Sequence, residues 1–129
     1  MKWYIFIYIF FIFICIMGNN YYCYFIISHL NNKTYIGITN NLDKRIIKHN
    51  QSKGAKSTRM SSKWSYHTIL GKFKNKGEAM SFEWYWKHQQ TKNNKWINTK
   101  VGMNNKMKRL LELILDDKWK HINIISKIK

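Results

Sequence analysis

Acidic side chains are scarce in this sequence, and proline is absent from it. The 129 residues include 6 Asp and Glu against 23 Lys and Arg, which gives a formal net charge of +17. A chain of this length has room for one domain. So large an excess of positive charge implies a polyanionic partner, either nucleic acid or an anionic membrane surface. The alternative is a solvated basic face without a function.

Cysteine is also rare, since Cys15 and Cys23 are the only two. One lies within an apolar run and the other within a predicted strand. They can build neither a disulfide framework nor a four-ligand zinc site. This usage is typical of a reducing compartment, and we expect the nucleus or the cytoplasm.

An uninterrupted apolar run covers residues 3–17. It is shorter than the roughly 20 residues of a membrane-spanning helix. Lys2 supplies the positive flank of a signal peptide, but no small-residue cleavage motif follows. Three interpretations stay open: a membrane anchor, a signal peptide, or a non-native extension with translation starting at Met17. We therefore divide the chain into a leader, residues 1–17, and a domain, residues 18–129.

The first elements of the domain form a predicted β-hairpin. Residues 21–28 and 34–39 are rich in aromatic and β-branched side chains, and residues 31–33 between them have turn chemistry. A helix follows, capped by Asn40 or Asn41. One face of this helix carries Leu42, Ile46 and His49.

The second half of the domain is predicted to add one strand and two helices. Residues 52–63 form a loop, residues 64–73 a strand, and Asn75 with Glu78 caps the second helix. Residues 91–100 form a polar connector. The third helix carries Met107, Leu111 and Ile114 and runs to about Asp117, and an extended tail follows from Trp119. This order predicts an α+β fold with a small, mainly antiparallel three-stranded sheet flanked by helices.

Three carboxylates precede residue 100: Asp43, Glu78 and Glu83. The first turn of a helix explains Asp43, and the helix cap explains Glu78. Glu83 lies on the predicted stripe of Ala79, Phe82 and Trp86, where an unpaired carboxylate would need a cation. That cation is either a metal ion or the partner in a buried ion pair with Lys or Arg.

Arg45 and His49 are four residues apart, so both project from one face of the first helix. Arginine can bind phosphate oxygens, and histidine can accept a proton near neutral pH. An ordinary basic helix rim is the alternative. Tyr24 and Tyr35 fall on adjacent strands, where they could meet on one face or simply belong to the core.

These residues, in this order, resemble the GIY-YIG endonuclease superfamily. The second motif, Tyr35-Ile36-Gly37, is intact, whereas in the first Cys23 precedes Tyr24 in place of Gly-Ile. Further similarity, in residues 54–58, Trp64 and residues 82–88, points to the structure-selective Slx-type branch. That branch nicks flaps, forks and four-way junctions in DNA, which implies a role in DNA repair or recombination. Its C-terminal zinc module is missing here, so a stand-alone nuclease, for example a viral one, is expected rather than the usual scaffold-bound subunit.

The resemblance implies hydrolysis with one divalent cation. Glu83 would hold Mg²⁺ or Mn²⁺, and Arg45 would neutralise charge on the phosphoryl group. The base that activates the water is left open among Tyr24, Tyr35 and His49.

DNA is the partner that the resemblance implies. The basic loop and the connector would follow the DNA backbone, with Lys53, Lys56, Arg59 and Lys63 as binding residues. Trp64, Trp84 and Trp86 either stack on unpaired bases or, as we expect, pack in the core.

Two rival functions remain. A non-catalytic basic nucleic-acid-binding module, tethered to a membrane by the leader, would have no use for Glu83 beside Arg45. A homing or restriction nuclease would need a recognition domain for which the chain has no length.

Overall fold

The computed structural model describes residues 4–9, 20–90, 96–98 and 103–127. Residues 4–9 are helical, and their side chains are exposed. No helix within these described ranges is long and apolar enough to cross a membrane. Cys15 and most of the predicted leader lie outside the described residues.

In its described residues the domain alternates short strands with three helices, and two single turns of 3₁₀-helix lie at residues 56–58 and 117–119. In chain order the elements are β1 (Tyr21–Ser28), β2 (Thr34–Thr39), α1 (Leu42–Asn50), β3 (Trp64–Phe73), α2 (Lys76–Lys87), β4 (His88–Gln90), β5 (Trp96–Asn98), α3 (Met103–Ile114) and β6 (Asn123–Lys127).

The central sheet is antiparallel and has four strands in the order β2-β1-β3-β6. The α+β class is therefore confirmed, but the predicted count of three strands is wrong. The fourth strand is the C-terminal tail, which we expected to be extended but not paired. Its partner β3 lies about 50 residues earlier in the chain, so no local sequence pattern predicts the pairing.

The two faces of the sheet carry separate clusters, because successive side chains of a strand point to opposite faces. Cys23 and Phe25 of β1 pack under α2 and α3 in the larger core, together with Phe82 and Trp86. Tyr24 and Ile26 point to the other face. There Leu42 and Ile46 of α1 cover them, as the predicted helical face requires.

Both predicted helix caps are present. Asn41 caps α1 by accepting a hydrogen bond from the backbone N–H of Lys44 at 3.0 Å. Asn75 caps α2 in the same way, accepting from the N–H of Glu78 at 2.9 Å. These caps set the start of each helix, and therefore the direction in which Arg45, His49 and Glu83 project.

The third helix ends earlier than predicted. It ends at Ile114, and Asp117 begins the second 3₁₀ turn. Leu110 and Leu113 are its buried leucines, whereas Leu111, one of the residues that marked the helix in the sequence, is 54% exposed. The predicted connector 91–100 contains β5, which pairs with β4; residues 91–95 and 99–100 lie outside the described residues.

Candidate active site

Tyr24 lies in the middle of β1, directly opposite Gly37 of β2. A Cβ atom at Gly37 would come within 2.6 Å of the Tyr24 hydroxyl oxygen and 2.7 Å of the Tyr35 ring. Any side chain at this position would displace one of the two tyrosines. The glycine of the second motif is therefore a steric requirement for bringing the tyrosines of β1 and β2 together, with ring centroids 6.2 Å apart.

Helix α1 brings two further predicted residues to the Tyr24 hydroxyl. Arg45 Nε donates a hydrogen bond to this oxygen at 2.9 Å, and His49 Nε2 lies 2.8 Å from it. The spacing of four residues on α1 thus places both side chains on one phenol, whereas the sequence predicted only that they share a face of the helix.

His49 is fully buried, and its other ring nitrogen contacts the loop that follows α1. Nδ1 lies 2.8 Å from Thr58 Oγ1, and the Thr58 hydroxyl donates to the carbonyl oxygen of Ala55 at 2.8 Å. Because the single hydroxyl proton of Thr58 is used there, Nδ1 must carry the proton and donate to Thr58. Nε2 is then the acceptor, and the Tyr24 hydroxyl donates to it.

These contacts form one directional chain of hydrogen bonds from Arg45 through Tyr24 and His49 to Thr58 and Ala55. Thr58 is a functional candidate that we did not identify from the sequence, although it belongs to the segment 54–58 that carries the Slx-type resemblance. Gly54 is another, because a Cβ atom there would come within 2.6 Å of His49 Nδ1.

Burial shifts the pKa values of His49 and Tyr24. Burial, with a smaller contribution from the Arg45 charge, lowers the pKa of His49 from 6.5 to about 4. Burial also raises the pKa of Tyr24 well above its usual value, against the opposing effect of Arg45. In the folded protein His49 is therefore neutral and Tyr24 is a protonated phenol at neutral pH.

Tyr35 differs from Tyr24 in being only partly buried. It lies on β2, the edge strand of the sheet, where the C-terminal end of α2 reaches it. Lys87 Nζ is 5.5 Å from the centre of its ring. This lysine also contacts Glu83 Oε1 at 2.7 Å, so Lys87 links the glutamate to the tyrosine side of the site.

The environment predicted for Glu83 is wrong in one respect. The three apolar residues of its predicted stripe, Ala79, Phe82 and Trp86, are fully buried, but the Glu83 side chain is 22% exposed and paired with Lys87. Glu83 lies at the margin of the stripe, where water still reaches the carboxylate. The structure thus contains an ion pair of the kind that we gave as the alternative to a metal ligand, but at the surface rather than in the core.

Within the described residues, no cluster of three or more His, Cys, Asp or Glu side chains could hold a metal ion. Mg²⁺ and Mn²⁺ do not need such a cluster, because Mg²⁺ is commonly bound by one or two carboxylates together with water and substrate phosphate. A lone, partly exposed glutamate at the edge of the Tyr35 site fits a cation of this class. It does not fit zinc, which takes three or four protein ligands.

The four predicted DNA-binding residues, Lys53, Lys56, Arg59 and Lys63, are exposed on the loop after α1. Arg59 Nε donates to the carbonyl oxygen of Gly54 at 3.2 Å, which attaches this loop to the His49 pocket. Trp64 and Trp86 are buried, as we expected for core residues, whereas Trp84 is 41% exposed and stacks on His88.

Comparison with known proteins finds one matching family model, the GIY-YIG catalytic domain, over residues 20–98. A structure-specific endonuclease subunit SLX1 homolog of Cryptosporidium parvum is 34% identical over 100 residues, 70% of this chain and 24% of that protein. The uncharacterized protein L300 of Acanthamoeba polyphaga mimivirus is 36% identical over 110 residues, 74% of this chain and 66% of the relative.

A UPF0213 protein of Bacillus licheniformis is 38% identical over 77 residues, 60% of this chain and 78% of the relative. The chain thus spans about a quarter of the SLX1 homolog and 66% of the mimivirus protein. The family match covers the part of the chain that carries the two tyrosines, Arg45 and His49.

Proposed function

The chain belongs to the GIY-YIG family of endonucleases, and from this membership we propose that it hydrolyses phosphodiester bonds of branched DNA with a divalent cation held by Glu83. The observation that carries the proposal is the Arg45–Tyr24–His49 chain of hydrogen bonds beside the partly exposed Tyr35. This arrangement offers a fixed cation for a phosphate and an accessible phenol for a water molecule.

Arg45 stabilises the charge that grows on the phosphoryl oxygens. Its Nε donates to Tyr24, and its guanidinium group also interacts with the side chain of Tyr35, so both tyrosines hold it in place. Burial opposes the charge of Arg45, but the interactions with Tyr24 and Tyr35 together outweigh it and raise the pKa of the guanidinium group. The arginine therefore keeps its charge at any working pH.

Tyr35 is the residue that we assign to the attacking water. His49 and Tyr24 are both fully buried, and both nitrogens of the histidine are already engaged. The raised pKa of Tyr24 also disfavours a tyrosinate at that position. Tyr35 is partly exposed, and Lys87 Nζ lies 5.5 Å from the centre of its ring, so Tyr35 is the one of these three side chains that solvent reaches. Tyr24 and His49 then serve to position Arg45.

Glu83 would hold Mg²⁺ or Mn²⁺ at the edge of the sheet, with the other coordination positions left to water and the phosphate. When bound, this cation supplies Lewis-acid stabilisation of the phosphoryl oxygens. Lys87 must share or release the Glu83 carboxylate for this to happen, because its ammonium group now lies 2.7 Å from one oxygen.

DNA is proposed as the substrate on two grounds, of which the first also favours branched DNA. The C. parvum relative is named as a structure-specific endonuclease subunit, and 34% identity connects this chain to it. The net charge of +17 suits a polyanion that offers many phosphates at once.

The test is to incubate the full chain with end-labelled linear duplex, flap and four-way-junction DNA of one sequence, with Mg²⁺, with Mn²⁺, or with a chelator. We expect cuts near the branch point that require the metal and are lost in Arg45→Ala. Equal cutting of linear duplex would contradict the branch selectivity. Binding of all three DNAs without any cut would favour the non-catalytic binding module instead.

A further inference from the structure

A cavity of about 300 Å³ lies next to the candidate active site, where the end of β2 meets the beginnings of α1 and α2. Four basic side chains line it: Lys44, Arg45, Lys48 and Lys76. No acidic side chain lines it. The remaining wall includes the polar residues Thr39 and Asn41 at the start of α1.

The charge of this cavity is not compensated by the protein. Within the described part of the chain, none of the three lysines forms an ion pair with a carboxylate. Concave surfaces lined by charge of one sign concentrate the field and attract counter-ions. The N-terminus of α1 lies at the same place, where Asn41 caps the helix and Asp43 occupies its first turn, so the positive potential comes from the basic side chains.

Arg45 connects the cavity to the reaction site, because it lines the cavity and also donates to Tyr24. An anion in the cavity would therefore lie next to the phosphate that is to be cut. Resting on the proposed function, we propose that the cavity binds the phosphodiester group adjacent to the scissile one, and so sets the register of the DNA strand over Tyr35 and Glu83.

The residues of this cavity are not those of the basic loop. Lys44 and Lys76 lie at the N-terminal ends of α1 and α2, whereas Lys53, Lys56, Arg59 and Lys63 follow the C-terminal end of α1. The two basic surfaces adjoin at Lys48, which lines the cavity and whose carbonyl oxygen accepts a hydrogen bond from the backbone N–H of Lys53 at 2.9 Å. A DNA strand held in the cavity could therefore continue along the loop.

The experiment compares two triple variants with equal charge. One carries Lys44→Gln, Lys48→Gln and Lys76→Gln, and its matched control carries Lys33→Gln, Lys72→Gln and Lys108→Gln, three exposed lysines that do not line the cavity. Binding to branched DNA is measured by fluorescence anisotropy in chelator, so no strand is cut. The phosphates of the cut strand are replaced one at a time by neutral methylphosphonate.

We expect methylphosphonate at one position near the branch point to weaken binding by about tenfold in the wild type and in the control, but not in the cavity variant. Where the DNA is cut, the cut should fall beside that position. The salt dependence of the cavity variant should also become shallower than that of the control, by about 0.9 in the log–log slope for each phosphate that the protein no longer neutralises. Equal methylphosphonate profiles in all three proteins would overturn the proposal.

Thermal unfolding shows whether the triple variants fold, and the single variant Lys48→Gln gives the same comparison if the cavity triple does not. Because binding is measured without cleavage, the two proposals fail separately. If the methylphosphonate effect depends on the cavity lysines but no DNA is cut, the phosphate site is supported and the nuclease function is contradicted. If branched DNA is cut but the methylphosphonate effect does not depend on these lysines, only the phosphate site is contradicted.

Discussion

The two interpretations of Glu83, a metal ligand and half of a surface ion pair, predict different results for the same substitution. A partly exposed ion pair four residues apart on a helix contributes about 0.3–0.5 kcal/mol. Glu83→Gln should therefore lower the free energy of unfolding by less than about 1 kcal/mol. Cleavage should fall by about a hundredfold or more if the carboxylate holds the metal, while DNA binding holds or tightens because a repulsive charge is gone. The free energy of unfolding, the DNA binding (by fluorescence anisotropy) and the DNA cleavage are measured on the same protein.

Glu78→Gln is the matched control, because it removes the same charge from the same helix. Glu78 accepts from the backbone N–H of Lys74 and pairs with His121, away from the tyrosines. Its loss should leave cleavage nearly unchanged. A Glu83 variant that still cuts with Mg²⁺ would exclude the metal role.

His49 makes stability depend on pH through its burial. Its pKa is about 4 in the folded protein and about 6.5 when exposed, so protonation opposes folding. The stabilisation is complete above pH 6.5 and is lost as pH falls towards 4, by roughly 3 kcal/mol. Urea unfolding at steps from pH 7 to 4 measures it. In His49→Gln, which cannot titrate, this part of the decline should vanish; identical declines in both proteins would contradict the assignment.

At the scale of elements, the pairing of β1 with β2 depends on Gly37. In Gly37→Ala the new Cβ would overlap the Tyr24 hydroxyl, and overpacking of this kind costs about 1–3 kcal/mol. Tyr24 would also be displaced from Arg45, so cleavage should fall further than the stability loss explains. Gly77→Ala is the control, because its nearest atom is a side-chain oxygen of Asn75 at 3.3 Å.

Local signals predicted the elements whose contacts are local. The hairpin turn, the two asparagine caps and the four-residue spacing of Arg45 and His49 all act within a few residues, and all are present. Long-range contacts were missed. The pairing of β6 with β3 and the contact of Thr58 with His49 depend on how distant or irregular segments return to the sheet. The Glu83–Lys87 ion pair has the four-residue spacing of neighbours on a helix, so it could have been predicted from the sequence.

At the scale of the whole molecule, we propose that the apolar leader is separate from the nuclease domain. The buried core residues lie between Cys23 and Ile122, the family match begins at residue 20, and residues 4–9 are exposed. Deleting residues 1–16 should therefore leave the unfolding temperature and the cleavage of branched DNA unchanged. An unfolded or inactive product would show that the run contributes to the domain.

The same deletion separates the three interpretations of the leader if it is combined with vesicle binding. Anionic vesicles would attract the basic domain in any case, through roughly 1 kcal/mol per nearby Lys or Arg, so uncharged phosphatidylcholine vesicles are the informative probe. An anchor predicts that the full chain sediments with these vesicles and the truncated chain does not. A signal peptide predicts a processed N-terminus in protein expressed with a secretion pathway, which intact-mass measurement detects. An extension that is not native predicts neither, because the domain then binds only charged surfaces and its binding is abolished by salt.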